Sequence, residues 1–159
     1  MTETDQQRRL HPLAVRAAAE PDYPIWARML TCLHSGQSEA DFLRELRDLV
    51  ALNEPYVGFL AFDASGVPVG LIDARVRNYA EGSPDLRAAY VEDLWVEPKA
   101  RHSGVARALL AAVEEWARAE GLRWLGSDTS PDNEASRGWH AAAGFDEVEQ
   151  LVVFGKPLN

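Results

Sequence analysis

Two carboxylates in the second half of the chain stand where acid–base chemistry is possible. Glu92 lies within the apolar run Tyr90-Val91-Glu92-Asp93-Leu94-Trp95-Val96, which predicts a strand over 88–96. A carboxylate in a central strand must be solvated or paired, because burying it alone is very costly. Glu92 therefore either pairs with an arginine or receives an ammonium group and helps to remove its proton. Asp128 follows a short predicted strand, where open α/β sheets place ligands, and its alternative role is to cap the next loop.

A turn rich in backbone N–H donors leads from this strand into a predicted helix. It reads Glu97-Pro98-Lys99-Ala100-Arg101-His102-Ser103-Gly104, and the helix continues with Val105-Ala106-Arg107. Gly104 lets the backbone approach a ligand closely, and the first helical N–H groups lack partners within the helix. The helix dipole adds partial positive charge there, so the turn can hold a phosphate. A glycine near a helix start is as often only a turn, so this motif alone leaves both interpretations open.

Two motifs give the chain a resemblance to a known family. The spacing Arg-x-x-Gly-x-Ala over 101–106 resembles the pyrophosphate loop of the GNAT family of N-acetyltransferases, which bind acetyl-CoA. Residues 133–145 resemble the later motif of that family, in which an Asn begins a helix and a Gly-Phe pair follows it. The run Ser127-Asp128-Thr129-Ser130-Pro131, with residues 90–96 and 145–149, is similar to one branch, the aminoglycoside 6'-N-acetyltransferases of bacterial antibiotic resistance.

The resemblance implies sites for two substrates and no metal. Acetyl-CoA, the co-substrate, is expected to meet Leu94, Trp95, Val96, Arg101, His102, Ser103, Gly104, Val105, Ala106, Arg107 and Asn133. The aminoglycoside, a cationic small molecule, is expected to meet His34, Tyr79, Glu92, Asp128 and Glu149. Without the family, Asn133 is equally well explained as a helix cap, Tyr79 as a loop aromatic and Glu149 as a solvated strand residue.

Acetyl transfer to an amine needs a base, since an ammonium nitrogen has no lone pair with which to attack a thioester. We assign this role to Glu92, directly or through water, with Asp128 holding the amine in line. The resemblance points to the backbone N–H of Leu94 as the donor for the developing oxyanion. His140 stands where many relatives have a Tyr, and it either protonates the leaving thiolate or packs beside Trp139.

The chain also departs from the pattern of its resembling family. His34 stands where such enzymes often carry a Trp in the substrate loop, which affects the substrate spectrum more than the reaction. Further acids are expected either to extend a negative cleft or to be solvated in loops; these are Glu81, Asp85, Asp93 and Asp132.

Hydrophobic periodicity predicts the elements that must position these residues. The predicted strands cover 13–16, 56–62, 67–76, 88–96, 124–127 and 145–154. The predicted helices are one introduced by Pro21 and Pro24, one capped by Ser38, one over 104–120 that Gly121 ends, and one over 131–143. The order β-α-α-β-β-β-α-β-α-β predicts an α/β (α+β) architecture, in which helices cover both sides of a mixed central sheet, and the resemblance implies that this is the GNAT fold. Regular alternation would point Tyr90, Glu92 and Leu94 one way and Val91, Asp93 and Trp95 the other.

Length and composition limit the class of protein. With 159 residues, we expect a single domain over 13–159 after a disordered tail over 1–12, and the resemblance implies that it is an N-acetyltransferase domain. The net charge of −9 disfavours nucleic acid as a partner and favours small cations. No stretch approaches the length of a membrane span, and the single cysteine, Cys32, fits a reducing cytoplasmic setting. The apolar end over 151–154 either pairs with a second copy in a homodimer or forms an ordinary core strand.

The sequence therefore predicts acetyl transfer from acetyl-CoA to the 6'-amine of an aminoglycoside, by direct attack in a ternary complex. No cysteine lies in a motif, which favours direct transfer over a covalent enzyme intermediate. Two alternatives stay open. One is an acetyltransferase for another small amine, a polyamine or a peptide N-terminus, and the other is a non-catalytic sensor that binds acyl-CoA.

Overall fold

The strands and helices of this protein follow the predicted order up to the last strand. The computed structural model describes residues 13–158, so the tail predicted over 1–12 lies outside the described residues. Within that range the strands are β1 (Ala14–Ala17), β2 (Tyr56–Phe62), β3 (Pro68–Arg77), β4 (Ala88–Val96) and β5 (Leu125–Gly126). The helices are α1 (Tyr23–Leu33), α2 (Glu39–Val50), α3 (Val105–Ala119) and α4 (Glu134–Ala142).

The strands form one mixed sheet in the order β1-β2-β3-β4-β5. The first four strands pair antiparallel, whereas β5 runs parallel to β4 and pairs with it at Ala89–Leu125 and Tyr90–Gly126. Asp63 closes the hairpin between β2 and β3, where its Oδ1 accepts hydrogen bonds from the N–H groups of Ser65 and Val67. The predicted hairpin and mixed sheet are confirmed, and the short β5 ends its pairing with β4 at Tyr90.

Two apolar clusters lie on opposite faces of the sheet. On one face α3 contributes Val105, Leu109, Leu110 and Val113, which pack against Ala61, Val69, Ile72, Ala74 and Val91. On the other face α1 and α2 contribute Trp26, Ala27, Met29, Leu30, Phe42 and Leu46, which pack against Leu60 and Leu71. Neighbours such as Leu71 and Ile72 serve opposite clusters because successive strand side chains alternate. The prediction that helices cover both sides of the sheet is confirmed.

Local features set two of the helix ends that the sequence predicts: hydrogen bonds before α2 and a left-handed glycine after α3. The N–H of Asp41 donates to Ser38 Oγ at 3.2 Å, and the N–H of Ser38 donates to Asp41 Oδ2 at 2.9 Å, which together form a capping box before α2. Gly121 follows α3 with a φ of +74°, the left-handed conformation that commonly ends helices.

The last predicted strand, over 145–154, is wrong. Residues 145–158 form no helix or strand. Phe145 packs against Trp139 and His140, whereas the large apolar side chains after it face solvent, with Val152 79% and Phe154 90% exposed. The β-branched and aromatic composition of this segment suits a strand, but a strand also needs a neighbour with free backbone groups. The sheet of the described chain ends at the two-residue β5. No helix within 13–158 combines the length and apolar content needed to cross a membrane.

Candidate active site

A bulge in β4 places two consecutive carboxylates on one face of the sheet. Asp73 of β3 lies opposite Asp93, and the next residue, Ala74, lies opposite Val91, so Glu92 is the extra residue of β4. The predicted alternation is therefore wrong at this point, because the bulge interrupts it. Glu92 and Asp93 line the same cavity, on the face that α1 and α2 cover, whereas Leu94 packs toward α3.

The cavity between the sheet, α1 and α2 is the acidic cleft of this protein. Its volume is about 270 Å³, and it is lined by Leu30, His34, Gln37, Phe42, Glu45, Leu46, Leu49, Tyr56, Arg75, Glu92 and Asp93. Three of these residues carry carboxylates. One wall is apolar, so the cavity suits a ligand that combines ammonium groups with a carbon framework.

Glu92 is paired with an arginine, as one of its two sequence interpretations predicts, and it also faces the cavity. Arg77 donates from Nε to Glu92 Oε1 at 2.8 Å and from an Nη to Oε2 at 2.6 Å, which is a bidentate pair. The Arg75 Nε lies 3.9 Å from Oε1. The Glu92 side chain is 23% exposed, so the carboxylate remains reachable from the cavity.

Tyr90 connects the second predicted carboxylate to the first. The Arg77 guanidinium lies over the Tyr90 ring, 3.6 Å from its centre, and the Tyr90 hydroxyl donates to Asp128 Oδ2 at 3.1 Å. Asp128 and Glu92 are thus connected by a chain of contacts that runs through Tyr90 and Arg77. The ring fits here because Gly126 lies beside it: a Cβ on Gly126 would come 2.6 Å from Tyr90 Cδ2.

His34 reaches the cavity from the end of α1. Its Nε2 lies 2.6 Å from Asp93 Oδ1, so a residue predicted for substrate binding contacts one of the cavity carboxylates. Burial raises the pKa of Asp93 above its ordinary value, and the hydrogen bond with His34 opposes that rise. Of the four further acids predicted to extend a negative cleft, Asp93 is the one that lines this cavity.

The turn before α3 has the geometry of an anion site. Gly104 has a φ of +89°, and His102 also lies in the left-handed region with a φ of +60°. The first helical hydrogen bond runs from the Ala108 N–H to Gly104 O, and no side chain caps the helix. The preceding N–H groups of α3 therefore lack partners in the helix and are available to an anion. A Cβ on Gly104 would meet nothing within 4 Å, so its φ and not crowding explains the glycine.

Arg101 and the open edge of β4 lie beside this turn. The Arg101 Nε donates to Val96 O at 3.1 Å, which holds the turn against the end of β4. Because β5 pairs with β4 only up to Tyr90, the stretch Leu94-Trp95-Val96 has no β5 neighbour. A groove of about 190 Å³ continues between α3 and α4, lined by Arg107, Leu110, Ala111, Glu114, Trp139, Ala142 and Ala143.

The two predicted residues of α4 have structural partners. Asn133 caps α4, because its Oδ1 accepts from the Ser136 N–H at 3.1 Å. His140 Nδ1 lies 2.8 Å from Ser136 O, and since a carbonyl only accepts, Nδ1 carries the proton. In the neutral ring Nε2 then accepts from the Ser127 hydroxyl at 2.9 Å. The ring also packs edge-on against Trp139 at 5.0 Å between centres, as the packing alternative predicts.

Several predicted residues lie away from this cluster. Tyr79 is 65% exposed in the loop before β4, and Glu149 is exposed in the segment after α4. Among the predicted cleft acids, Asp85 pairs with Arg123 at 2.7 Å and Asp132 accepts from Ser130 Oγ, so both serve loops. Within residues 13–158, no group of three or more His, Cys, Asp or Glu side chains is placed to hold a metal ion.

Sequence reasoning missed several residues of the site, among them Asp73, Arg77 and Tyr90. Asp73 is fully buried, and burial raises its pKa well above the ordinary value. The sequence did contain a sign of it, because Asp73 is an acid within the apolar run Gly70–Val76 and, like Glu92, must be solvated or paired there. Arg77 and Tyr90 could not be assigned to Glu92 and Asp128 without the register of β3 and β4.

Comparisons with known proteins identify the family to which this chain is similar. Residues 16–145 match the Acetyltransferase (GNAT) family. The chain is 37% identical over 146 residues to the aminoglycoside N(6')-acetyltransferase type 1 of Stenotrophomonas maltophilia, a match covering 91% of this chain and 94% of that protein. It is 34% identical over 146 residues to the protein of the same name from Klebsiella aerogenes, covering 91% of this chain and 96% of that protein.

Solved structures agree with these relatives. AAC(6')-Iy in complex with the bisubstrate analog CoA-S-monomethyl-acetylneamine superposes with a TM-score of 0.85 at 30% identity, over 92% of this chain and 99% of that one. The 6'-N-acetyltransferase AAC(6')-Ih from Acinetobacter baumannii superposes with a TM-score of 0.84 at 27% identity, over 93% and 100%. The chain belongs to the acetyltransferase (GNAT) family and, within it, to the branch of the aminoglycoside 6'-N-acetyltransferases.

Proposed function

We propose that this protein transfers the acetyl group of acetyl-CoA to the 6'-amine of aminoglycoside antibiotics. The observation that carries the proposal is the acidic cavity at Glu92 and Asp93, in a chain whose relatives are named for this reaction. Carboxylates in a cleft with low-dielectric walls attract a polycationic sugar. The chain's net charge of −9 acts in the same direction and disfavours nucleic acid and anionic membrane surfaces as partners.

We assign acetyl-CoA to the start of α3 and the open edge of β4. Its diphosphate suits the N–H groups after Gly104, which lack helical partners and carry the positive end of the helix dipole. The pantetheine arm suits the backbone of Leu94 and Val96, which β5 does not cover. The Oδ1 of Asn133 is used by the cap of α4, so its amide nitrogen is the group we assign to this arm.

Glu92 removes the proton of the substrate ammonium in this mechanism, directly or through water. Arg77 takes one hydrogen-bonding position on each Glu92 oxygen, and each oxygen has a second lone pair for the substrate. The guanidinium also favours the neutral amine, because two cations side by side repel. The amine nitrogen thereby gains the lone pair that attacks the thioester carbon.

Asp128 and Leu94 assist the same step. Asp128, which Tyr90 orients, holds the amine in line with the thioester. The Leu94 N–H donates to the thioester oxygen as negative charge develops on it. The thiol of CoA has a pKa of roughly 8.5, so the departing thiolate needs little acid assistance. His140 is our candidate for it only as an imidazolium, because in the neutral ring the Nδ1 proton is bound to Ser136 O and Nε2 is an acceptor. Cys32, the free cysteine, lies exposed on α1 and takes no part.

Three further residues complete the proposed aminoglycoside contacts. His34 is supported by its place in the cavity, where it meets Asp93. Tyr79 and Glu149 rest on the family resemblance, and their exposure leaves them free to contact a ligand.

The decisive assay measures thiol release from acetyl-CoA with aminoglycosides that have or lack a 6'-amine. We expect turnover only where the 6'-amine is present, and a fall in kcat of about 100-fold in Glu92→Gln, because the base is lost. Glu45→Gln is the matched control, since Glu45 lines the same cavity on α2 and has no role in the proton transfer. Turnover only with polyamines or peptides would show that the substrate is another class of amine. Tight CoA binding without any turnover would show that the protein is a non-catalytic sensor.

We also propose that the protein is a cytoplasmic homodimer. The segment 145–158 has strand-forming composition and exposed apolar side chains, so a second copy is the partner that would pair with it. The single cysteine suits the reducing cytoplasm.

Light scattering of the full chain tests the dimer. Phe154→Asp is expected to yield monomers, because a charge in a paired strand interface would be buried. Leu86→Asp is the control, since Leu86 is 85% exposed in a loop and Phe154 is 90% exposed. A monomeric wild type would contradict the proposal.

A further inference from the structure

We propose that Asp73 is a positioning residue: its buried carboxylate holds the bulge of β4 that turns both Glu92 and Asp93 toward the substrate cavity. The inference rests on the proposed function for its kinetic consequence, while its structural part can be tested without any substrate. Asp73 itself does not line the cavity.

The first link is the hydrogen bond between Asp73 and the bulge. The Asp93 N–H donates to Asp73 Oδ1 at 3.0 Å, directly after the extra residue Glu92. In a regular antiparallel ladder a backbone carbonyl of β3 would accept this N–H. Here a side chain accepts it, so the interrupted ladder leaves no buried donor without a partner.

The second link ties the same carboxylate to the walls of the cavity. Asp73 Oδ2 accepts from Trp26 Nε1 at 2.9 Å and from the Tyr56 hydroxyl at 3.0 Å. Trp26 belongs to α1 and Tyr56 to β2, so one carboxylate joins three elements around the cavity. Tyr56 and Asp93 both line it.

The chemistry of this cluster argues against a role in core stability alone. Asp73 is 0% exposed, and its three donors are uncharged groups. A buried carboxylate without a cation is expensive, and an apolar residue of similar volume would fill the core at lower cost. An apolar residue would leave all three donors without an acceptor. Trp26 and Tyr56 are side chains that an apolar core could replace as well, whereas the Asp93 N–H belongs to the backbone and needs an acceptor whichever side chains surround it. Without that acceptor the strand would return to regular alternation, and Glu92 and Asp93 could no longer face the same cavity.

The test compares Asp73→Asn with Trp26→Phe by kinetics and thermal melting. Asp73→Asn leaves too few acceptors for the three donors, so we expect kcat to fall by about 30-fold or more through misplacement of the base. Acetyl-CoA affinity, measured by calorimetry, is expected to stay within about threefold, because we assign the charged diphosphate to the start of α3, away from the bulge. Trp26→Phe removes one hydrogen bond to Oδ2 and keeps the bond at the bulge. Trp26→Phe should lower the melting temperature about as much as Asp73→Asn does, but should keep kcat within about threefold of the wild type.

Backbone amide exchange keeps the test decisive if Asp73→Asn does not fold. In the wild type the Asp93 amide should be protected like its neighbours in β4, and exchange as fast as in an exposed loop would overturn the proposal. A folded Asp73→Asn with unchanged kcat and a lower melting temperature would overturn it as well, leaving Asp73 a purely structural residue. If the wild type acetylates no aminoglycoside, the proposed function fails, while the exchange of the Asp93 amide still decides whether Asp73 holds the bulge.

Discussion

Glu92 has two arginine neighbours, and distance decides which of them matters. Arg77 makes two charge-assisted bonds of 2.8 and 2.6 Å to it, whereas Arg75 Nε lies 3.9 Å from the nearer oxygen. Bidentate pairs fix both position and orientation, and a single long contact at a partly exposed side chain contributes almost nothing. Arg77 therefore determines where the Glu92 carboxylate points, and its stacking on Tyr90 carries that constraint toward Asp128.

Replacing Arg77 by lysine separates shape from charge. We expect Arg77→Lys to lower kcat/KM about tenfold, because an ammonium group keeps the charge but cannot make the bidentate pair and the flat stack together. Arg75→Lys is the matched control and should stay within about twofold of wild type. Steady-state thiol release measures both. Equal effects from the two variants would show that charge alone matters.

The residues also show where sequence reasoning stops. The sequence leaves two alternatives for Glu92, namely pairing with an arginine or facing a ligand. In the structure the bulged strand lets Glu92 pair with Arg77 and line the cavity at the same time. The sequence pattern assumes a regular ladder, so it assigned Asp93 to the wrong face. Asp73, the group that accepts the irregular N–H, comes from another strand, and only the register brings it there.

At the scale of elements, the start of α3 combines a left-handed glycine with uncapped N–H groups. Gly104 has a φ of +89° with open space around its Cα, and the exposed turn before it leaves the helix end accessible. The helix dipole and these donors both favour an anion at this position, which is where we propose that the diphosphate of acetyl-CoA binds.

A branched side chain at this glycine should weaken acetyl-CoA binding. Gly104→Val both strains a positive φ and places methyl groups where the diphosphate would approach, so we expect the Kd for CoA to rise about tenfold or more. Gly121→Val is the matched control: Gly121 lies at the other end of the same helix with a φ of +74° and equally open surroundings. It should cost stability without changing CoA affinity. Calorimetric titration with CoA measures both, and equal affinities in the two variants would place the cofactor elsewhere.

Most elements could be predicted because their signals are local. Tyr56–Phe62 and Ala88–Val96 have the predicted bounds, and Ser38 caps α2 through its own neighbours. The two elements around Asp128 are shorter than predicted, with β5 over Leu125–Gly126 and α4 beginning at Glu134. The final strand failed for a different reason, since strand formation depends on a partner that no local pattern encodes.

At the scale of the whole molecule, the sheet separates the helix α3, where we propose that acetyl-CoA binds, from the acidic cavity proposed for the aminoglycoside. The helix α3 packs on one face, while α1 and α2 cover the face with the acidic cavity. The position of α1 is fixed at its start by Asp22, whose carboxylate accepts from Arg16 at 2.7 and 2.9 Å and from the Ala19 N–H at 2.8 Å. These bonds lower the pKa of Asp22 from 3.8 to about 2.

This shift predicts how stability depends on pH. Because the pKa of Asp22 is lower in the folded than in the unfolded chain, its contribution is complete above about pH 4 and is lost as the pH falls toward 2. Asp22→Asn should therefore destabilise the protein by about 1 kcal/mol at neutral pH and progressively less below pH 4. Thermal melts from pH 7 to pH 2.5 measure this difference. Asp48→Asn, at an exposed position of α2, is the control, and a difference that persists unchanged in acid would contradict the assignment.

The close approach of Gly126 to the Tyr90 ring has a consequence for natural variation. A single methyl group added at residue 126 would come 2.6 Å from that ring and push it from its place. The tyrosine would then lose both its guanidinium neighbour and its carboxylate acceptor at once. A mutational screen limited to ionisable residues would overlook Gly126. Gly126→Ala should nevertheless lower activity, because it displaces the Tyr90 ring. The geometry of these charged and hydroxyl groups therefore depends on a residue that has no functional group of its own.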